Sequence, residues 1–170
     1  GKPGQGGEVF VELKLVVDLG FVGLPNAGKS SLLNTLTKAK AKVGNYQFTT
    51  LTPNLGDFYG FIIADIPGLI EGAGEGKGLG HKFLRHISRT KMLLHCISCE
   101  HEDPMEVYKI IRSELEKYDK TLCDKQEAIL FTKTDMIEED KLKSNIDLFD
   151  KIGKKVFTIS IIDDSSVKVF

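Results

Sequence analysis

The chain has 170 residues, 41% of them apolar, with 23 Lys+Arg against 24 Asp+Glu and a formal net charge of −1. That length suits one domain with a single core, and the balanced charge excludes a globally basic nucleic-acid binder while leaving a local basic patch open. No run reaches the roughly 18 uninterrupted apolar residues of a membrane helix, and the polar start does not read as a secretory leader.

Three cysteines, an odd count, read as reduced thiols, so a cytoplasmic location is expected, or an organelle matrix in a eukaryote. The 17 glycines are unevenly placed: four fall in residues 1–7, three in 20–28 and six in 68–80. Glycine lets main-chain N–H groups approach a ligand closely, which makes two of these clusters candidates for phosphate.

Residues 8–14 (EVFVELK) alternate apolar and polar, as a half-buried strand would, and 15–22 is an apolar run broken by Asp18. A helix is expected from Lys29, with Leu32, Leu33 and Leu36 on one face. Residues 39–53 show neither period and read as a long loop, which in a compact domain is more often functional than not. Residues 54–59 and 61–66 read as strands with Gly60 alone between them. A hairpin usually needs two loop residues, so either this one is unusual or residues are missing from the chain there. Beyond the glycines of 68–80 the pattern predicts a helix over 81–89, a strand over 92–98 and a helix over 103–120. A strand over 128–132, a helix over 138–151, a strand over 156–160 and a last helix from about Asp164 complete the chain. Such alternation implies an α/β fold: a mainly parallel six-stranded sheet with helices on both faces. Ligands of such sheets gather at the carboxyl ends of the strands.

Gly23, Leu24, Pro25, Asn26, Ala27, Gly28, Lys29 and Ser30 fit G-x-x-x-x-G-K-[ST] between an apolar strand and a helical pattern. The loop's N–H groups and the helix N-terminus carry positive partial charge and face phosphate oxygens. Lys29 would bridge the β- and γ-phosphates, and Ser30 would give its hydroxyl to Mg²⁺. Asp65 ends the next apolar strand, where a carboxylate can hold Mg²⁺ through water. Ile66, Pro67 and Gly68 complete Asp-x-Pro-Gly, and the Gly68 N–H can meet the γ-phosphate. Loss of that phosphate would then release the glycine-rich segment behind it, an order–disorder switch.

Thr132-Lys133-Thr134-Asp135 follows a buried strand. The Asp135 carboxylate can accept from both N1–H and the N2 amino group of guanine, a donor pair that adenine lacks. The stem of Lys133 can cover the base face, and backbone N–H groups of Ser160, Ile161 and Ile162 can reach the guanine O6. An ATP-dependent kinase or ATPase conflicts with Asp135.

The strings GLPNAGKS, FTT, DIPG and TKTD, with the strand end at Ser160, resemble the nucleotide-binding motifs of translation-factor-class GTPases. DIPGLIEG running into GKGLGHKFLRHI, and the lead-in LKLVVDLGFVG, closely resemble the Obg family of GTPases. The resemblance implies a P-loop G domain over 15–170 that cycles between GTP and GDP, with residues 1–14 the remnant of a glycine-rich N-terminal domain or linker. It makes Thr50, in Phe48-Thr49-Thr50, a second Mg²⁺ ligand that closes the long loop over the γ-phosphate. It also implies a role in assembly of the large ribosomal subunit, a ribosomal subunit or its RNA as partner, and a monomeric G domain. Two hypotheses stay open: a GTP hydrolase, and a ribosome-binding module that GTP merely gates.

Two positions depart from the family pattern, and the Gly60 junction lacks the hairpin tip expected there. Thr132 stands for the usual asparagine and makes one hydrogen bond fewer, and Ile161 stands for a small alanine. Separately, Leu69 occupies the place where many GTPases carry a water-orienting glutamine, so unassisted hydrolysis should be slow. Asn26 lies where potassium-activated relatives coordinate K⁺, or is a tolerated polar loop residue. Cys96 and Cys99, beside His95 and His101, are three apart in a strand; they face opposite ways and read as buried thiols rather than metal ligands. His81, Arg85, His86 and Arg89 form a basic helix face, a solvated surface or a contact for RNA or a partner.

Overall fold

The computed structural model describes residues 17–38, 54–66, 90–163, 165 and 167. The strand over 8–14, the long loop, the glycine-rich segment of 68–80, the helix over 81–89 and most of the last helix lie outside the described residues.

Among the described residues six strands form one sheet: β1 (Val17–Val22), β2 (Asn54–Phe58), β3 (Phe61–Asp65), β4 (Thr90–Ser98), β5 (Gln126–Thr132) and β6 (Lys155–Ile159). Their order is β2-β3-β1-β4-β5-β6, and all pairs are parallel except β2 with β3. Among the described residues three helices, α1 (Lys29–Lys38), α2 (Pro104–Tyr118) and α3 (Glu139–Asp150), cover the sheet.

Alternation along the central strands divides the core into two layers. Leu93, Ile97, Ile129 and Phe131 meet Val107, Ile111 and Leu115 of α2 and Phe149 of α3. Leu94, Cys96, Ala128 and Leu130 pack with Leu32, Leu33 and Leu36 of α1. Because β4 and β5 are covered on both faces, they read as continuous apolar runs. The expected opposition of the two cysteines is found here, Cys96 in one layer and Cys99 in the other.

The junction at Gly60 is a regular two-residue hairpin, which corrects the expectation that Gly60 alone separates the strands. β2 ends at Phe58, which pairs with Phe61, and Tyr59-Gly60 form the loop. Both loop residues have positive φ, 52° and 87°, the backbone of a type I′ turn matched to strand twist. Tyr59 therefore belongs to the turn, not to the strand.

Asp18, the one charge in the β1 run, lies at the opposite end of the sheet from the phosphate loop. Its carboxylate accepts from the Ile62 N–H at 2.9 Å and pairs with Lys91 at 2.7 Å. Those contacts hold its carboxyl below the usual carboxylate range, Lys91 contributing most.

Deeper in the layer under α2, Glu127 of β5 collects four partners. His95 lies at 2.9 Å, Tyr108 donates at 2.6 Å, Arg112 at 3.0 Å and Lys154 at 2.6 Å. Burial alone would raise the Glu127 carboxyl, but His95, Lys154 and Tyr108 together hold it far below its usual value. Burial dominates at His95 and lowers its affinity for a proton, so the ring is neutral and donates from Nε2.

Candidate functional site

The strand order reverses at β1, with β3 on one side and β4 on the other, so the loop after β1 opens at a topological switch point. Gly23 begins that loop. A Cβ there would stand 2.5 Å from the carbonyl oxygen of Cys96, so only glycine lets the chain leave β1 so close to β4.

The Ala27 N–H donates to the Leu24 carbonyl at 3.3 Å, closing a turn with Pro25 and Asn26 at its centre. Asn26 has φ 61°, and proline followed by a left-handed asparagine is what a type II turn selects. Turn geometry therefore accounts for an asparagine at this position. Gly28 also has positive φ, 82°, and its carbonyl accepts the first helical bond of α1 from Leu32 at 2.8 Å. No acidic residue occupies the first turn of α1, so nothing on the helix offsets its positive end.

Lys29 Nζ donates to the carbonyls of Gly23 at 3.0 Å and Leu24 at 2.9 Å, which folds the ammonium over the loop. Ser30 Oγ donates to Asp65 Oδ2. Asp65 is 1% exposed at the end of β3, in register with Phe21 of β1. Its Oδ1 is buried without a hydrogen-bond partner among the described residues. A buried carboxylate oxygen left so is destabilising unless another group meets it. Mg²⁺ takes oxygen donors, and a serine hydroxyl beside an orphaned carboxylate oxygen fits that requirement. Ile66, 1% exposed, donates its N–H to the Phe21 carbonyl at 3.1 Å and fixes the exit from β3.

Register carries the residues expected to read the base to the same end of the sheet: Ser98 of β4 pairs with Thr132 of β5, which pairs with Ile159 of β6. Thr132 Oγ1 donates to the Ala27 carbonyl at 2.8 Å, a buried tie between the two halves of the site. Asp135 sits in a short 3-10 turn, Thr134–Met136, and its Oδ1 accepts from Ser160 Oγ at 2.5 Å. Lys133 precedes that turn with φ 55°. Ile161 is 40% exposed and Ile162 77%, and Ile161 joins Asn26, Gly28, Lys29, Ser30, Thr132 and Lys133 around a cavity of about 650 Å³. Phe48, Thr49, Thr50, Pro67, Gly68 and Leu69 lie outside the described residues.

Glu100 was not anticipated from the sequence. It lines the same cavity, and its carboxylate accepts from Lys133 Nζ and from Ser98 Oγ at 3.0 Å. The lysine, then the serine, hold that carboxyl below its usual range. The available signal was an acidic residue two positions past a strand end, in the row that also carries the lysine motif.

Among the described residues no three His, Cys, Asp or Glu side chains converge. Cys96 is fully buried and its thiol is pushed up to about 12 by burial; burial, then Asp135, push that of Cys99 up to about 11.

A mainly parallel sheet with one antiparallel edge strand, a phosphate loop at its switch point and a TKTD turn after β5 together define a P-loop G domain. The chain belongs to the family described as 50S ribosome-binding GTPase, which it matches over residues 18–134. It is 49% identical over 166 residues to a GTPase Obg of Prochlorococcus marinus (strain MIT 9215), covering 94% of this chain and 51% of that protein. A GTPase Obg of Pelagibacter ubique (strain HTCC1062) is 47% identical over 172 residues, covering 98% and 53%. The chain thus spans about half the length of these curated relatives.

Among solved structures, a mutant NFeoB of S. thermophilus bound to GDP superposes with a TM-score of 0.58 at 19% identity, covering 91% of this chain and 58% of that one. A nucleolar GTP-binding protein 1 of Plasmodium falciparum gives 0.55 at 21%, covering 93% and 84%. At such identities the likeness is one of fold. No helix among the described residues is long and apolar enough to cross a membrane.

Proposed function

We propose that this chain is the guanine-nucleotide-binding domain of a Mg²⁺-dependent GTPase that hydrolyses GTP slowly and works as a nucleotide switch in assembly of the large ribosomal subunit. The observation that carries the nucleotide reading is the buried bond from Thr132 to Ala27. It joins a base-reading turn to a phosphate loop 105 residues away in sequence, so one ligand can meet both.

In this reading the backbone of residues 23–30 and the Lys29 ammonium hold the phosphates. Ser30 and Asp65, with Thr50 from the long loop, hold Mg²⁺, which when bound offsets phosphate charge. Gly68 senses the γ-phosphate within Asp65-Ile66-Pro67-Gly68, and Phe48 and Thr49 shape the loop that carries Thr50. Asp135 reads guanine, Lys133 covers the base, and Ser160, Ile161 and Ile162 support it. Leu69 offers no hydrogen bond to an attacking water, which makes the intrinsic reaction slow. A cation such as K⁺ beside Asn26 would raise the rate by stabilising charge that develops on the phosphates. The ribosomal role is supported by the description of the family and by the Obg relatives. A cytoplasmic setting is supported by three free cysteines.

Phosphate release should require Mg²⁺, favour GTP over ATP and run faster in K⁺ than in Na⁺. Equal rates in the two salts would assign Asn26 to the turn alone, and tight ATP binding without competition from GTP would sink the guanine reading. The ribosomal step is tested with the full-length protein by co-sedimentation with purified subunits in GTP, GDP and a non-hydrolysable analogue. Identical binding in all three would remove the switch from the account.

A further inference from the structure

Lysine loses more side-chain freedom on ordering than most residues, so a lysine that serves as a pocket wall needs something to hold it. Lys133 has such a restraint. Its left-handed backbone, φ 55°, sets the direction in which the side chain leaves the chain. Its ammonium then ends on Glu100 Oε2.

Glu100 is itself anchored rather than swinging on the surface. Its Oε2 accepts from Ser98 Oγ at 3.0 Å, and its own backbone N–H donates to the same hydroxyl at 3.3 Å. Ser98 is 2% exposed and stands in the β4 row that pairs with Thr132. A relay thus runs from the buried end of β4, through a carboxylate, to the lysine that follows β5. Both charged residues line the cavity that also holds Asn26, Lys29 and Ser30.

The pair is half-exposed, 31% for the lysine side chain and 45% for the glutamate. Ion pairs so open to water contribute little to fold stability. Their effect falls instead on the conformation of the lysine. We propose that Glu100, anchored by Ser98, is a positioning residue that fixes Lys133 as a wall of the base pocket and thereby sets the affinity for guanine nucleotide. This inference rests on the guanine-nucleotide reading above.

Titrating the chain with fluorescently labelled GDP tests it. Glu100→Ala should weaken binding about five- to tenfold, mainly through faster dissociation, with the melting temperature unchanged. Glu100→Gln, which keeps an acceptor for the ammonium, should recover part of that loss. In a Lys133→Ala background, removing Glu100 should have no further effect, because its role passes through the lysine. Ser98→Ala should reproduce a smaller version of the Glu100→Ala loss. GDP affinity in Glu100→Ala equal to or tighter than the parent's overturns the proposal, as does an undiminished loss in the Lys133→Ala background. Should the parent chain fail to prefer GDP over ADP, the guanine reading falls and this inference with it.

Discussion

Single residues at the site are chosen by close approach and by hydrogen-bond arithmetic. Gly23 is required because a Cβ would meet a backbone oxygen, which cannot give way as a flexible side chain can. Asp65 accepts from Ser30 through one oxygen, and its other oxygen is buried without a hydrogen-bond partner among the described residues. In the proposed site Asp135 reads donors through its carboxylate, so exchanging one oxygen for an N–H should reverse the preference. Asp135→Asn is expected to weaken GDP by about a hundredfold or more and to favour XDP, whose O2 accepts where guanine donates. Competition of labelled GDP by unlabelled XDP measures this. An Asp135→Asn chain that still preferred GDP would remove Asp135 from base recognition.

Among the elements, α2 shows how local signals set boundaries. Asp103 accepts from the Glu106 N–H at 2.9 Å, and Pro104 occupies the first turn, where its missing N–H is no loss. The helix stops at Tyr118, two residues before the expected end. Asp119 turns extended there, and its carboxylate accepts from Thr121 at 2.9 Å to start a 3-10 turn at Lys120–Leu122. Asp103→Ala should lower stability by about 1 kcal/mol, read from urea unfolding as a shift in midpoint with an unchanged slope. No shift would mean that the N-terminus of α2 is held by packing instead. The β2–β3 hairpin makes the converse point. Its two-residue turn was misread because Tyr59, an aromatic residue that commonly belongs to strands, occupies a left-handed position.

For the molecule as a whole, the Glu127 cluster clamps β4, β5, α2 and the approach to β6. Glu127 is 4% exposed, and removing its carboxylate leaves the buried His95 Nε2 and the Tyr108 hydroxyl without their partner and takes an ion pair from Arg112 and Lys154. Glu127→Ala should cost about 3 kcal/mol. Its folded-state affinity for protons is depressed, so its contribution is present above the unfolded value of about 4.3 and is lost as pH falls below it. His95 acts earlier. Because its folded pKa is lowered, the unfolded chain takes up a proton there first, and stability falls as pH drops below about 6.5. Melting temperatures from pH 7.5 to 4 should decline in these two stages, and His95→Gln should flatten the first. A first stage unchanged in His95→Gln would place the titration elsewhere.

The sequence by itself determined the fold class, the two core layers and the phosphate loop, because these rest on local periodicity and on a contiguous motif. Strand alternation needs no knowledge of neighbours, but it reaches only Cys96, because Cys99 stands in the turn just past the end of β4. What only the tertiary structure decided are contacts between residues far apart in the chain. Thr132 binding Ala27, Ser30 meeting Asp65, Glu127 gathering four partners and Glu100 holding Lys133 all depend on strand order and register. Order and register follow from how whole faces bury against one another, and no stretch of sequence encodes that locally.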